Sequence, residues 1–151
     1  MSMESKIEHL KMIQGIITRM NTNSFQIKGW TITLVSALLA LYANSRKVTY
    51  IFIALIPVLI FWFLDSYYLQ QERKFRELYK EIVNTAHYGT DIKEFEMLID
   101  KYKDCKCCLV KTMTSITILP LYLLLSLGLI IGGFILKSKG NMYGKKNIYI
   151  I

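Results

Sequence analysis

Three stretches of this chain contain no charged side chain, and they limit its fold before anything else does. Residues 29–43 (GWTITLVSALLALYA), 48–64 (VTYIFIALIPVLIFWFL) and 112–136 (TMTSITILPLYLLLSLGLIIGGFIL) are 15, 17 and 25 residues long. A helix needs about 20 apolar residues to cross the hydrocarbon core of a bilayer. The third stretch exceeds that length. The first two are short, but Lys28 can snorkel from one end, and Tyr50, Trp62, Tyr67 and Tyr68 are amphipathic aromatics suited to membrane interfaces. A hydrophobic share of 53% and a mean hydropathy of +0.33 are too high for an ordinary soluble domain. The expected fold is therefore an all-α membrane protein with three transmembrane helices, the first two joined as a hairpin through NSRK at 44–47.

The segments outside the spans carry a second pattern. Residues 1–28 are polar, with no apolar run followed by a small-residue cleavage site, so this segment is expected to be retained rather than removed as a signal. Ile7, Leu10, Ile13, Ile17, Met20 and Ile27 recur at helical spacing, with Ser24 filling one gap, while Glu4, Glu8, Lys11 and Arg19 fall off that stripe. An amphipathic helix is expected, with Gly15 and the polar NTNS at 21–24 bending or breaking it before the first span. After the second span, Tyr68, Phe75, Leu78, Tyr79 and Ile82 form a matching stripe among dense charges, with no proline or glycine. The helix leaving the membrane at Asp65 is expected to continue to about residue 85, its stripe packing on the N-terminal helix of the same chain or of a neighbour. Asp91, with Glu94 three residues on, reads as a capped start of a short helix ending near residue 103. The resulting organisation is an amphipathic helix (1–28), a transmembrane hairpin (29–64), a helical extension and short helix forming a cytoplasmic bundle (65–111), a third span (112–136) and a basic tail (137–151) with no assigned structure.

Net charge is +8, and all of the excess lies beside spans: the loop 65–111 holds nine basic and nine acidic residues. Cations beside spans meet anionic headgroups, whereas a nucleic-acid binder gathers them on a soluble face. The count of Lys and Arg places the N-terminal segment and the large loop in the cytoplasm and the tail outside, although the short tip and tail are denser in charge.

Several residues invite a specific chemistry. Cys105, Cys107 and Cys108 lack the fourth ligand that zinc needs, so free thiols are expected, an intersubunit disulfide or shared metal being the alternatives. Asp65 reads either as an interfacial anchor for Lys28 or Arg19 or as a gating residue, since carboxylates near spans are costly. With Phe75, Leu78 and Ile82 it forms the candidate coupling set. Thr33, Ser36 and Asn44, with the GLIIG pair Gly128 and Gly132, are candidates for close helix packing or for lining a pore. Pro57 and Pro120 are expected to kink their spans. No nucleophile elbow, phosphate-cradling loop or His/Glu metal pair occurs, so neither an enzyme nor a cofactor is expected.

The runs RMNTNSFQIKGWTITLVSALLAL (19–41) and FWFLDSYYLQQERKFRELYKEI (61–82) resemble the SLATT family of small bacterial membrane proteins. The likeness is carried by Asn23-Ser24-Phe25, Lys28-Gly29-Trp30, Asp65, Tyr68-Leu69, Gln71-Glu72-Arg73, Phe75-Arg76 and Leu78-Tyr79, and it covers residues 7–85. The third span exceeds that family's two-span plan. The resemblance implies a homo-oligomeric, pore-forming effector of anti-phage defence in the bacterial inner membrane, of the Hailong-like or a related arrangement. Its trigger would be a nucleotide or oligonucleotide from a partner nucleotidyltransferase, or a protein partner. Arg73, Lys74, Arg76 and Lys80 are the expected anion-binding cluster. A non-conducting scaffold and a holin-like lesion protein remain as alternatives.

Overall fold

The computed structural model describes residues 3–88, 97, 99 and 108–146, with 85–88 and 139–146 described by backbone alone. All secondary structure among them is helical: α1 (Met3–Ser45), α2 (Thr49–Ile53), α3 (Leu55–Tyr88), α4 (Leu109–Met113) and α5 (Leu119–Lys146). Three helical stretches, Met3–Ser45, Thr49–Asn84 and Leu119–Ser138, are long and apolar enough to cross a membrane. The expected short helix after residue 91, and with it Cys105 and Cys107, lies outside the described residues.

Four local features depart from expectation. First, α1 is unbroken through Gly15 and residues 21–24. Two hydroxyls beside these positions turn back onto the helix, Thr18 Oγ1 donating to the Gln14 carbonyl and Thr22 Oγ1 to the Thr18 carbonyl at 3.0 Å each. Second, the stretch 112–136 is not one helix: α4 ends at Met113 and α5 begins at Leu119. Pro120 therefore lies in the first turn of α5, where its missing N–H has no helical partner to lose, and it kinks nothing. Pro57 does interrupt its span. Its ring and absent N–H disturb the bond to the carbonyl of Ile53, and Ile53 is the last residue of α2. Third, the tail is helical as far as Lys146. Fourth, α1 closes on Arg46, whose φ of 58° is left-handed. Its N–H donates to the Tyr42 carbonyl at 2.7 Å, a closing turn that usually takes glycine. A side chain in this conformation costs about 1–2 kcal/mol.

The chain divides into two compact units. Unit 1, Met1–Ile27 with Leu64–Ser115, pairs the start of α1 with the long end of α3. Ile13, Ile17, Leu78 and Ile82 are buried together, with Leu10, Phe75, Tyr79, Met97 and Ile99 packed around them. Burying each of these aliphatic side chains is worth about 1.5–3 kcal/mol. The α3 stripe thus packs on the N-terminal helix of its own chain. At the stripe's start, Ile7 is exposed and His9 is buried instead. Unit 2, Lys28–Phe63 with Ile116–Ile151, buries Thr31, Val35, Ile51, Ala54, Val58, Ile118, Tyr122 and Leu129. Trp62 stacks on Tyr122 with ring centres 6.3 Å apart, and Phe52 meets Phe134 edge-on at 6.2 Å. A methyl group added at Gly133 would lie 3.1 Å from the Phe52 ring, so the helices approach closely there. Most other large apolar side chains of unit 2 face outward, among them Ile32, Leu34, Ile56, Leu59, Leu124 and Ile131. No more than 28% of the most apolar part of any candidate span is buried within the protein.

Candidate functional site

Seven of the eight buried polar or charged side chains among the described residues lie in unit 1. His9, Ser24, Asp65, Ser66, Glu72, Lys74 and Thr112 are all buried. Ser24 occupies a stripe position of α1 where periodicity calls for an apolar residue. Asp65 opens the matching face of α3. Ser24 Oγ donates a hydrogen bond to Asp65 Oδ1, so the polar intruder on one helix meets the polar intruder on the other. This bond and the apolar cluster fix α1 and α3 as antiparallel within the unit: Ser24 faces Asp65 at one end, and Ile13 and Ile17 meet Leu78 and Ile82 at the other. Between Asp65 and Leu78 the helix rises about 20 Å. A fully buried carboxylate bonded to a hydroxyl, about 20 Å along one helix from an aliphatic layer, can lock one register of α1 against α3. A charge-assisted bond of this kind is worth about 1.5–3 kcal/mol.

Farther along α3 the charges are used internally. Arg76 holds Glu72, Nε at 2.7 Å and Nη2 at 2.6 Å from the same carboxylate oxygen. Lys80 pairs with Glu77 at 2.8 Å. Arg73 Nη2 donates to Ser115 Oγ at 2.8 Å, tying α3 to the turn after α4. Of the expected anion-binding cluster, Arg73, Arg76 and Lys80 thus each have a partner within the chain, and Lys74 is buried.

The coupling set fares differently. Asp65, Leu78 and Ile82 are buried and Phe75 packs on the same cluster, all on the α3 face that meets α1. Asp65 accepts from Ser24, a bond that sequence reasoning overlooked; of the two cations expected to anchor it, Lys28 and Arg19, Arg19 is exposed. The signal was present as the one polar residue in the α1 stripe. His9 gave no such signal, since it sits beside the stripe as drawn.

In unit 2, Thr33, Ser36 and Asn44 are exposed, and the Thr33 hydroxyl is turned back on the Gly29 carbonyl at 3.0 Å. Gly128 and Gly132 have open space where a side chain would be. The close approach within the chain is made by the neighbouring Gly133. Cys108 is a free, exposed thiol. No family model, curated protein or solved structure matches the chain.

Proposed function

We propose that this chain is a membrane effector whose protomers assemble into a pore or channel, with unit 1 as the element that holds it closed and releases it. The observation that carries this reading is the change of apolar patterning along α1 and α3. In unit 1 each helix buries an aliphatic layer, Ile13 and Ile17 on α1 and Leu78 and Ile82 on α3; in unit 2 Val35 and Val58 are buried but most of the large apolar side chains face outward. Phe25, Trp30 and Tyr67 stand exposed where the two compositions meet, as aromatics do at a headgroup layer. A shift of α1 against α3 at the Ser24–Asp65 bond is then carried into the spans without an intervening loop, because both helices are continuous.

Three helices of one protomer cannot enclose a water-filled path, so conduction requires a homo-oligomer. In this reading the membrane is the bacterial inner membrane and the N-terminus is cytoplasmic. The trigger is a cytoplasmic infection-linked signal in an anti-phage response, as the SLATT resemblance implies. An anionic nucleotide acting at Arg73, Lys74, Arg76 and Lys80 has to displace Glu72, Glu77 and Ser115 from them, which makes those contacts a natural release point. Purified full-length protein should run as a defined oligomer and pass ions across liposomes, and induced expression should depolarise cells. A stable monomer that never permeabilises vesicles rules the pore out.

A non-conducting scaffold is the second reading. Ile7, Met12 and Val83 of unit 1 are exposed and apolar outside its core, as residues that dock a protein partner would be. Membrane potential separates the two, since a scaffold leaves it intact.

A further inference from the structure

All eleven acidic residues of the chain fall within unit 1, whereas unit 2 contains seven Lys and Arg and no Asp or Glu. The cations of unit 2 have no carboxylate of their own unit to neutralise them. Three that are described as exposed, Arg46, Lys47 and Lys137, come from separate parts of the sequence. The packing within unit 2 brings them to one end. Trp62 on Tyr122 and Phe52 on Phe134 run the α2–α3 segment antiparallel to α5. Walking back from Phe52 to Lys47 and forward from Phe134 to Lys137 therefore leads in the same direction. At the helical rise, Lys137 lies about 4.5 Å beyond Phe134 and the start of α2 at Thr49 about 4.5 Å beyond Phe52, with Lys47 two residues farther on. Arg46 is held there by the left-handed turn that closes α1.

We propose that this end of unit 2, built from Arg46, Lys47 and Lys137, binds the phosphodiester headgroup of anionic phospholipid. The proposal rests on the membrane reading above. A purely local explanation accounts for two of the three residues, since cations at the end of α1 complement its dipole. It does not account for Lys137, which sits within α5. Depth fits as well: Tyr42 and Tyr50 flank the turn half-buried, the position aromatic rings take at the headgroup layer. Directly toward the span, Ile53 and Phe134 are exposed and offer an apolar wall for the acyl chains of a lipid. A free phosphate would use the cations and leave that wall empty.

The test uses full-length protein in phosphatidylcholine vesicles carrying spin-labelled phosphatidylglycerol or spin-labelled phosphatidylcholine, with the motionally restricted lipid measured in each. The native protein should prefer the anionic lipid, and each cation should contribute roughly a fivefold factor at most. Arg46→Gln with Lys47→Gln and Lys137→Gln should bring the preference close to unity, while the charge-keeping Arg46→Lys, Lys47→Arg and Lys137→Arg should retain it. Neutralising Lys6, Lys11 and Arg19 of unit 1 should leave it unchanged. Equal association of both lipids with the native protein, or an undiminished preference in the triple glutamine variant, overturns the proposal. Full competition by millimolar glycerol phosphate would show a small-anion site instead and overturn it too. A chain stripped from vesicles by alkaline carbonate would end the membrane reading and this proposal together, whereas an integrated chain with no preference refutes the lipid site alone.

Discussion

Along a single helix, α1, the relation between side-chain character and burial changes. Before Ile27 its buried positions include Ile13 and Ile17, while Glu4, Glu8, Lys11 and Arg19 are exposed. After Lys28 it exposes Ile32, Leu34, Leu39 and Leu41 and buries Thr31 beside a single aliphatic residue, Val35. The two units differ in the same sense. Unit 1 has nearly balanced charge and an interior that sets seven polar side chains beside an aliphatic layer; unit 2 carries all but one of the chain's eight excess positive charges and an interior whose polar members, among the described residues, are Thr31 and Tyr122. On the membrane reading proposed above, the two surfaces meet different solvents. In water, apolar area is driven inward, and unit 1 can include Ser24 because its hydroxyl bonds Asp65, and Glu72 because Arg76 holds it. In lipid no such drive acts between helices. Unit 2 accordingly relies on close contact: Gly133 against Phe52, and aromatic rings against each other.

The strongest way to break this contrast is to remove the aliphatic layer of one unit. Leu78→Ala and Ile82→Ala should each destabilise unit 1 by about 2–5 kcal/mol. Hydrogen exchange in detergent should show the loss confined to the start of α1 and the long end of α3, with amides of α5 unaffected. Equal loss of protection in α5 would mean that the units do not obey separate rules. Reduced or constitutive vesicle leakage in the same variants would tie the layer to gating, and unchanged leakage would remove it from the mechanism.

Slightly smaller, and aimed at the outer surfaces, is an exchange of apolar for charged residues at matched exposure. Leu124→Lys on α5 places a charge where lipid is expected and should cost about 2.5–3.5 kcal/mol of insertion free energy. Met12→Lys, on an exposed position of unit 1, should fall within about 0.5 kcal/mol of the native protein. The fraction of expressed protein recovered in membranes reads both. If Leu124→Lys instead yields a more soluble, fully folded protein, the outward apolar face of unit 2 is not a lipid face.

How much of this was legible beforehand depends on what each residue had to meet. Ile13, Ile17, Leu78 and Ile82 announce themselves through spacing, because a helix face that repeats every three to four residues must be covered by something. The charge-free stretches announce three spans for the same kind of reason. The chain breaks were harder. Residues 112–118 read as the start of the third span because Thr and Ser are compatible with a membrane helix, yet the turn at 114–118 ends α4 before Pro120 starts α5. Periodicity has no view of where a helix stops inside an uncharged run. Arg46 was equally hidden, since left-handed turns normally advertise themselves with glycine. Asp65 was legible as an oddity, but its bond to Ser24 was not: a serine in an apolar stripe looks like a gap until the facing helix supplies a carboxylate.

That pair offers a third, intermediate test. Ser24→Ala removes a hydroxyl from a buried carboxylate and should cost about 1.5–3 kcal/mol. Ser24→Ala combined with Asp65→Leu removes both polar partners and should recover part of that loss, because an apolar pair of suitable shape leaves nothing unsatisfied between them. Thermal unfolding in detergent measures both. If the double variant is simply the sum of the singles, the bond does not couple α1 to α3.

The smallest effects sharpen the contrast within α5. In an exposed helix interior, alanine is favoured over glycine by about 0.8–1 kcal/mol. At Gly128 and Gly132 an added methyl meets nothing within 4 Å of the same chain, so Gly128→Ala and Gly132→Ala should stabilise the isolated protomer by up to about that amount. At Gly133 the methyl lies 3.1 Å from the Phe52 ring and 3.4 Å from Ile51, and the ring must shift to admit it. The gain in helix propensity is then offset by lost packing, and Gly133→Ala should show little or no net stabilisation. Cross-linking adds a reading that stability cannot. If protomers approach one another along the GLIIG face, Gly128→Ala and Gly132→Ala should lower the cross-linked oligomer even as they strengthen the protomer, because small residues are what let helix backbones come together in lipid. An alanine at either position that leaves cross-linking intact would take that face out of the assembly, and the close contacts of unit 2 would then be those of one chain.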